Sequence, residues 1–196
     1  MKTGVNTNKF KYKVAAFYNF FSISDQDILS IKEELTNLAT NQEIKGTILL
    51  APEGINGTIC GNENGINLFF ESLKGLLKIS EVNVKYSWTD KQAFRRFKAR
   101  QKKEIVTIGL KQINPSKSVG KYLKASEWNQ FLEDPETVVI DTRNEYEIKI
   151  GNFVGALNPH TSSFREFPLW VQKYLKPLIK ENPSLKIGMY CTGGIR

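Results

Sequence analysis

The chain has 196 residues, 40% of them hydrophobic, which is enough for one large or two small globular domains, each with a modest core. It contains no run of about eighteen apolar residues, and Met1–Phe10 lacks the charged-then-apolar design of a secretory leader, so the sequence speaks against a membrane span or an exported protein and predicts a cytoplasmic one. Two cysteines, Cys60 and Cys191, are too few for a disulfide framework or a zinc cluster, which leaves a free, reactive thiol to consider.

The net charge of +8 is unevenly spread: residues 1–120 hold 18 Lys/Arg against 11 Asp/Glu, and residues 121–196 hold 10 against 9. A basic front half points to a polyanionic partner, nucleic acid before membrane, because no basic amphipathic helix stands out. Simple solubility is the bland alternative.

In chain order, Lys13–Phe20 has strand composition, and Ser24 to Asp27 fits a capping box that opens a helix with Ile28, Ile31, Leu35 and Leu38 on one face. A strand at about 45–51, the turn Pro52-Glu53-Gly54 and a strand at about 55–60 form a hairpin. A helix from about 63 to 78 carries Ile66, Phe69, Phe70, Leu73, Leu76 and Leu77, and Glu81–Trp88 alternates as a half-buried strand. The order β-α-β-β-α-β is the ferredoxin-like arrangement, an α+β domain expected over residues 1–90.

Residues 91–115 read as a basic linker carrying a strand at Glu104–Leu110, and residues 116–196 as a second, α/β domain. There Ser126–Leu132 predicts a short helix and Thr137–Asp141 a buried parallel strand. Pro168 and Pro177 should break 163–182 into short helical pieces. Leu185–Tyr190 predicts a last strand that delivers Cys191 at its carboxyl end, where ligands sit in open α/β sheets.

Two constellations carry chemistry. Cys191-Thr192-Gly193-Gly194-Ile195-Arg196 sets a thiol before two glycines and an arginine, the composition of a loop whose backbone N–H groups turn onto an anionic sulfur and favour the thiolate nucleophile. Cysteine phosphatases place five residues between Cys and Arg; four here make a tighter loop, sized for sulfur. A buried strand-end cysteine with a Gly-Gly turn is the plain alternative. The second constellation is Lys91, Arg95, Arg96, Lys98, Arg100, Lys102 and Lys103, without an acidic residue and interleaved with Phe94 and Phe97. Such cations neutralise phosphates, and an exposed aromatic stacks on an unpaired base, although a charge run is often a solvated face and the two Phe side chains are also candidates for core anchors. Glu53-Gly54-Ile55-Asn56-Gly57 reads as a hairpin turn and Cys60 as a small buried strand residue. The single histidine, His160, reads as a surface loop residue; no metal centre has a visible ligand set.

The Cys191–Arg196 loop, the Ile140-Asp141-Thr142-Arg143-Asn144-Glu145-Tyr146-Glu147 strand end and the Gly151-Asn152-Phe153-Val154-Gly155-Ala156 turn resemble a rhodanese domain, with Asn152 where many rhodaneses have His. Together with the preceding domain and the segment Phe94–Thr107, the chain is similar to the bacterial rhodanese-like tRNA uridine hydroxylases. That resemblance implies oxygen-dependent conversion of the wobble uridine to 5-hydroxyuridine, with molecular oxygen as co-substrate, no evident cofactor, and the anticodon arm of tRNA as partner. It implies that Cys191 is the active-site cysteine and a candidate persulfide carrier, that Arg196 closes the anion-binding loop, and that Asp141 and Arg143 shape the site structurally; Glu145 and Glu147 read equally well as solvated loop acids. Two other functions fit the residues: a sulfurtransferase carrying a cysteine persulfide, and a non-catalytic RNA-binding module.

The resemblance also implies more sequence after Arg196, including another cysteine and a helix whose N-terminus supports the loop. Residues 1–196 alone are therefore expected to be weak or inactive, with a carboxylate beside the thiol in place of a helix dipole, and robust turnover by this chain alone in a hydroxylation assay would contradict that.

Overall fold

The computed structural model describes residues 11–110, 112–117 and 119–196. The chain divides into two compact units, residues 1–105 with 114–116, and residues 106–113 with 117–196.

In the first unit the elements run β1 (Tyr12–Phe20), α1 (Asp25–Asn41), β2 (Lys45–Ala51), β3 (Gly54–Gly61), α2 (Glu63–Leu77), β4 (Asn83–Thr89) and β5 (Phe97–Gln101). The βαββαβ order expected from the sequence is present, and β5 extends its sheet to five strands in the order β4-β1-β3-β2-β5. β1 pairs antiparallel with both β3 and β4, β2 antiparallel with β3, and β5 parallel with β2. Helix α1 starts where the capping box placed it: Ser24 Oγ accepts from the Asp27 amide, which satisfies one of the four orphan N–H groups of a helix start. Asn62 does the same for α2 through the Gly65 amide at 2.7 Å.

Both helices lay their apolar stripes on one face of the sheet. Ile28, Ile31 and Leu35 from α1 and Ile66, Phe69, Phe70 and Leu73 from α2 meet Ala15, Phe17, Ile48, Leu50, Ile55 and Ile59 from the strands. Phe17 and Phe70 meet edge to face with ring centroids 5.1 Å apart, and Phe69 meets Phe70 at 5.8 Å. At the hairpin a Cβ on Gly54 would lie 2.1 Å from the Asn19 carbonyl oxygen, and its φ of 142° is one that side-chain-bearing residues rarely adopt, so this turn requires glycine.

One expected strand is corrected. Glu104–Leu110 is not a strand; the strand of this region is β5, inside the basic segment. The cause is a change of partner: the Ile105 amide donates to Glu53 Oε1 at 2.6 Å and the Ile105 carbonyl accepts from Asn56 Nδ2 at 2.9 Å. Side chains of the β2–β3 hairpin thus satisfy backbone groups that a ladder would otherwise have to satisfy.

In the second unit, α3 (Ala125–Glu133) and α4 (Glu145–Ile148) flank β6 (Thr137–Asp141), which pairs in parallel with β7 (Lys186–Tyr190). Leu157 bridges to Ile140 of β6 in parallel sense. The prolines do not break the 164–181 stretch into separate helices; it stays helical throughout and changes type along its length, as a 3-10 turn (Phe164–Glu166), α5 (Phe167–Trp170), a π turn (Val171–Leu175) and α6 (Lys176–Glu181). Pro177 has no N–H and its ring crowds the carbonyl four residues back, which the wider π turn before it relieves. Ile140, Phe167 and Leu175 form the core here, and Phe164, Phe167 and Trp170 stack in succession, with centroids 5.4 and 5.7 Å apart. No helix among the described residues is long and apolar enough to cross a membrane.

Phe69→Ala, at a side chain with no exposure, should destabilise the first unit by about 3–5 kcal/mol, whereas Ser24→Ala should cost about 1 kcal/mol; urea unfolding of both variants measures the difference.

Candidate active site

Cys191 follows β7, so the parallel pairing with β6 brings it beside the residues that follow Asp141. The Thr142 amide and hydroxyl both donate to the Tyr190 carbonyl, at 3.0 and 2.8 Å, which continues the ladder one step past the strands. The Cys191 side chain is half-buried. The Gly194 amide donates to its sulfur at 3.0 Å, and Gly194 holds φ at 82°, in the left-handed region that glycine adopts without strain.

Both ends of the loop are fastened to the β6 end. The Thr192 hydroxyl donates to Glu147 Oε1. The Arg196 guanidinium donates to the Thr142 carbonyl and, at 3.1 Å, to Asn144 Oδ1, and lies over the Phe164 ring 5.9 Å from its centroid. Thr192, Gly193, Gly194 and Ile195 therefore span two anchored points.

Beneath the loop lies a buried charge. The Asp141 side chain has no exposure, and its carboxylate accepts from Arg143 Nε at 2.9 Å, Arg143 Nη2 at 2.6 Å and the Tyr190 hydroxyl at 2.6 Å. Burial works against the charge, but the hydrogen bonds from Arg143 and Tyr190, with the guanidinium charge, outweigh it and hold the Asp141 carboxyl below its usual range. The Tyr190 phenol is pushed up, by burial first and by donation to Asp141 second. Arg143 also donates to the Gly151 carbonyl at 2.6 Å, tying down the turn that follows α4. Asp141 and Arg143 thus hold each other at the end of β6.

Glu147 is more than a solvated acid. As the fourth residue of an Asn-x-x-Glu capping box it accepts from the Asn144 amide at 3.1 Å while its other oxygen takes the Thr192 hydroxyl. Burial opposes its charge, yet the donors Thr192 and Asn144 and the charge of Arg196 hold its carboxyl low. The Asn144–Glu147 spacing was readable in the sequence; its connection to Thr192 needed the strand register. Glu145 accepts from Asn158 Nδ2 at 3.1 Å and stands 3.5 Å from His160 Nδ1, and His160 is exposed on its loop as expected.

The basic constellation belongs to the first unit. Lys91, Arg95 and Arg96 lie in the turn between β4 and β5, Lys98 and Arg100 on β5, and Lys102 and Lys103 just beyond it. All but the half-buried Lys98 are exposed. The positive charge of Arg96, then burial, then Arg100, hold the Lys98 pKa low, the mark of crowded cations. Phe97 packs against the helix-side core and serves as an anchor rather than a stacking platform; Phe94 is half-buried. Cys60 is fully buried on β3, and burial raises its thiol pKa.

Asp141 gives the second unit a defined acid sensitivity. Its folded pKa lies below the unfolded value of 3.8, so its stabilising contribution is complete above that value and is lost as pH falls through the folded pKa. Asp141→Asn should therefore destabilise the unit at neutral pH by about 3 kcal/mol and flatten the fall in stability below about pH 4, measured by chemical unfolding from pH 7 to pH 3.

Residues 12–105 match the family described as the UPF0176 acylphosphatase-like domain, in keeping with the ferredoxin-type sheet of the first unit. All 196 residues align at 80% identity with a protein of Prochlorococcus marinus (strain NATL1A) named tRNA uridine(34) hydroxylase, covering 61% of that protein. A protein of the same name from Synechococcus sp. (strain CC9605) is 46% identical over 194 residues, covering 96% of this chain and 59% of that one. The chain thus spans about three fifths of the length of these curated relatives. A solved acylphosphatase from Coxiella burnetii aligns at 14% identity with a TM-score of 0.35, over 49% of this chain and 99% of its own.

Proposed function

We propose that the chain belongs to the family of the proteins named tRNA uridine(34) hydroxylase, to which it is similar over its whole length, and that it forms part of a cytoplasmic oxidoreductase that converts the wobble uridine of tRNA to 5-hydroxyuridine with molecular oxygen. The division of labour follows the chain: a ferredoxin-like domain over 1–90, a basic connecting segment over 91–115, and the N-terminal part of a rhodanese-like domain over 116–196. The parallel β6–β7 pair, with a cysteine leaving the carboxyl end of β7 into a glycine loop, supports that reading of the second part.

The observation that carries the proposal is the setting of Cys191. Its sulfur takes a backbone donor from Gly194, and the loop holding it is pinned at Thr192 and at Arg196 to residues 142–147. A nucleophile fixed in this way on anchored backbone is positioned before substrate arrives. Cys191 takes part in the oxidation at C5 of the uracil ring; Arg196 positions the loop through Thr142 and Asn144. The anticodon arm is held by Lys91, Arg95, Arg96, Lys98, Arg100, Lys102 and Lys103, whose charges neutralise its phosphates.

The test is the 5-hydroxyuridine content of tRNA from cells lacking the gene, complemented with the gene carrying either Cys191 or Cys191→Ser. Restoration by the Cys191 form alone is expected, with Cys191→Ser at background and Arg196→Ala reduced at least about tenfold because its loop loses an anchor. Restoration by neither form moves the assignment to sulfur transfer through a persulfide. Restoration by both takes Cys191 out of the chemistry.

A further inference from the structure

The helices cover one face of the first unit's sheet, and the other face has its own order. The strand registers align residues across all five strands in rows. One row runs Lys85, Ala16, Thr58, Thr47, Lys98. On one side of it lies the row Asn83, Tyr18, Asn56, Leu49, Arg100, and on the other the row Ser87, Val14, Cys60, Lys45. None of the residues the strands place in these rows is acidic; Lys85 on β4 and Lys98 and Arg100 on β5 bring three cations to the two edge strands, and Lys45 a fourth on β2.

Each outer row is crossed by a chain segment at its middle, where Tyr18 and Cys60 are buried, while the middle row has no buried residue. Asn56 donates to the carbonyl of Ile105, which is itself buried, so the segment leaving β5 passes over that row. Cys60 has no exposure; Gln92 Nε2 donates to its carbonyl at 3.2 Å, and the Ala93 amide donates to its sulfur, so the segment entering β5 passes over the other. Between these crossings Ala16 and Lys85 are exposed and Thr58, Thr47 and Lys98 half-exposed. The result is a trough. Asn56 and Cys60 are four residues apart on β3, so the two crossings lie about 13 Å apart along the strands, and four strand spacings make the row between them about 19 Å long.

We propose that this trough is the bed of a single RNA strand, which enters over Lys98 and Arg100 and leaves past Lys85 on the opposite edge. The inference rests on the tRNA reading above and adds a path that the run 91–103 does not define, since Lys85, Thr47, Thr58 and Ala16 lie outside it. The chemistry fits this occupant. Cations at both ends neutralise phosphates, while the floor is small and uncharged, so that unpaired bases approach the sheet and meet the Thr47 and Thr58 hydroxyls. An acidic protein segment would satisfy the margins equally but would leave its own backbone groups without partners over a floor whose strand groups are already paired.

The experiment uses the 196-residue chain with two fluorescent probes, a uridine-rich twelve-nucleotide RNA and an unmodified tRNA transcript, titrated at several salt concentrations. Ala16→Glu, a charge in the centre of the floor, should weaken both by about tenfold, and Lys85→Ala should lower the slope of log K against log salt by about 0.7, one phosphate contact of a single strand. Lys32→Glu on α1, on the far side of the sheet, should match the parent, and far-UV dichroism should show all three folded. If Ala16→Glu and Lys85→Ala bind like the parent while Arg96→Ala and Arg100→Ala lose affinity, the trough proposal fails and the tRNA reading survives. If the parent binds neither probe, or binds an acidic peptide in their place, both fall together.

Discussion

A carboxylate with no exposure must be held by donors or it stays protonated, and in the second unit Asp141 is such a group. Its donors come from two directions: Arg143 two residues on, and Tyr190 from the neighbouring strand. Tyr190 is the residue before Cys191, so the bond that satisfies the buried charge also fixes the point from which the loop departs. Arg143 carries the constraint outward to the Gly151 carbonyl, and Phe153 adds an amide to the Tyr190 hydroxyl at 3.3 Å. The base of the loop is therefore held from below by electrostatics, and the loop's own ties at Thr192 and Arg196 complete the hold.

The first unit works by a different principle. Its core is wholly apolar on the helix side, with Phe69, Ile28, Leu35, Ile48, Leu50 and Ile59 among its fully buried side chains, so its stability rests on packing and its charge stays free for the surface. Lys13 is the exception, a nearly buried cation that donates to Glu63 at 3.1 Å and Asn67 at 3.2 Å and lies 4.4 Å from the centre of the Tyr86 ring. The contrast between the units explains why their functional residues look so unlike: an anchored loop in one, a field of exposed cations in the other.

Much of this was legible in the sequence where one periodicity dominated. The helix faces at Ile28–Leu38 and Ile66–Leu77, the Ser24 cap and the hairpin all follow from local pattern. β5 was not legible, because Phe97-Lys98-Ala99-Arg100-Gln101 lies at a sheet edge, where one face is solvated and Phe97 alone supplies a large apolar side chain. Glu104–Leu110 looked more strand-like, yet its Ile105 backbone groups are taken by Glu53 and Asn56, a pairing across about fifty residues that no window contains. The cysteine loop declared itself by composition. Its ties to Glu147, Thr142 and Asn144 did not, because they exist only once β6 and β7 are set side by side.

The parallel placement of β5 against β2 has a consequence for how the chain is made. The four strands β1 to β4 and both helices are complete once Thr89 has been synthesised, and they make up the ferredoxin-type body. Its β2 margin then waits, with unpaired amides and carbonyls, until residues 97–105 emerge and fold back over the sheet. Domains fold as units during synthesis, so for the time of some sixteen additional residues, about one to three seconds at ordinary translation speed, the nascent chain presents an open sheet margin to its surroundings. Once β5 has paired it becomes the new edge of the sheet, and its Lys98 and Arg100 oppose pairing with the same strand of another copy.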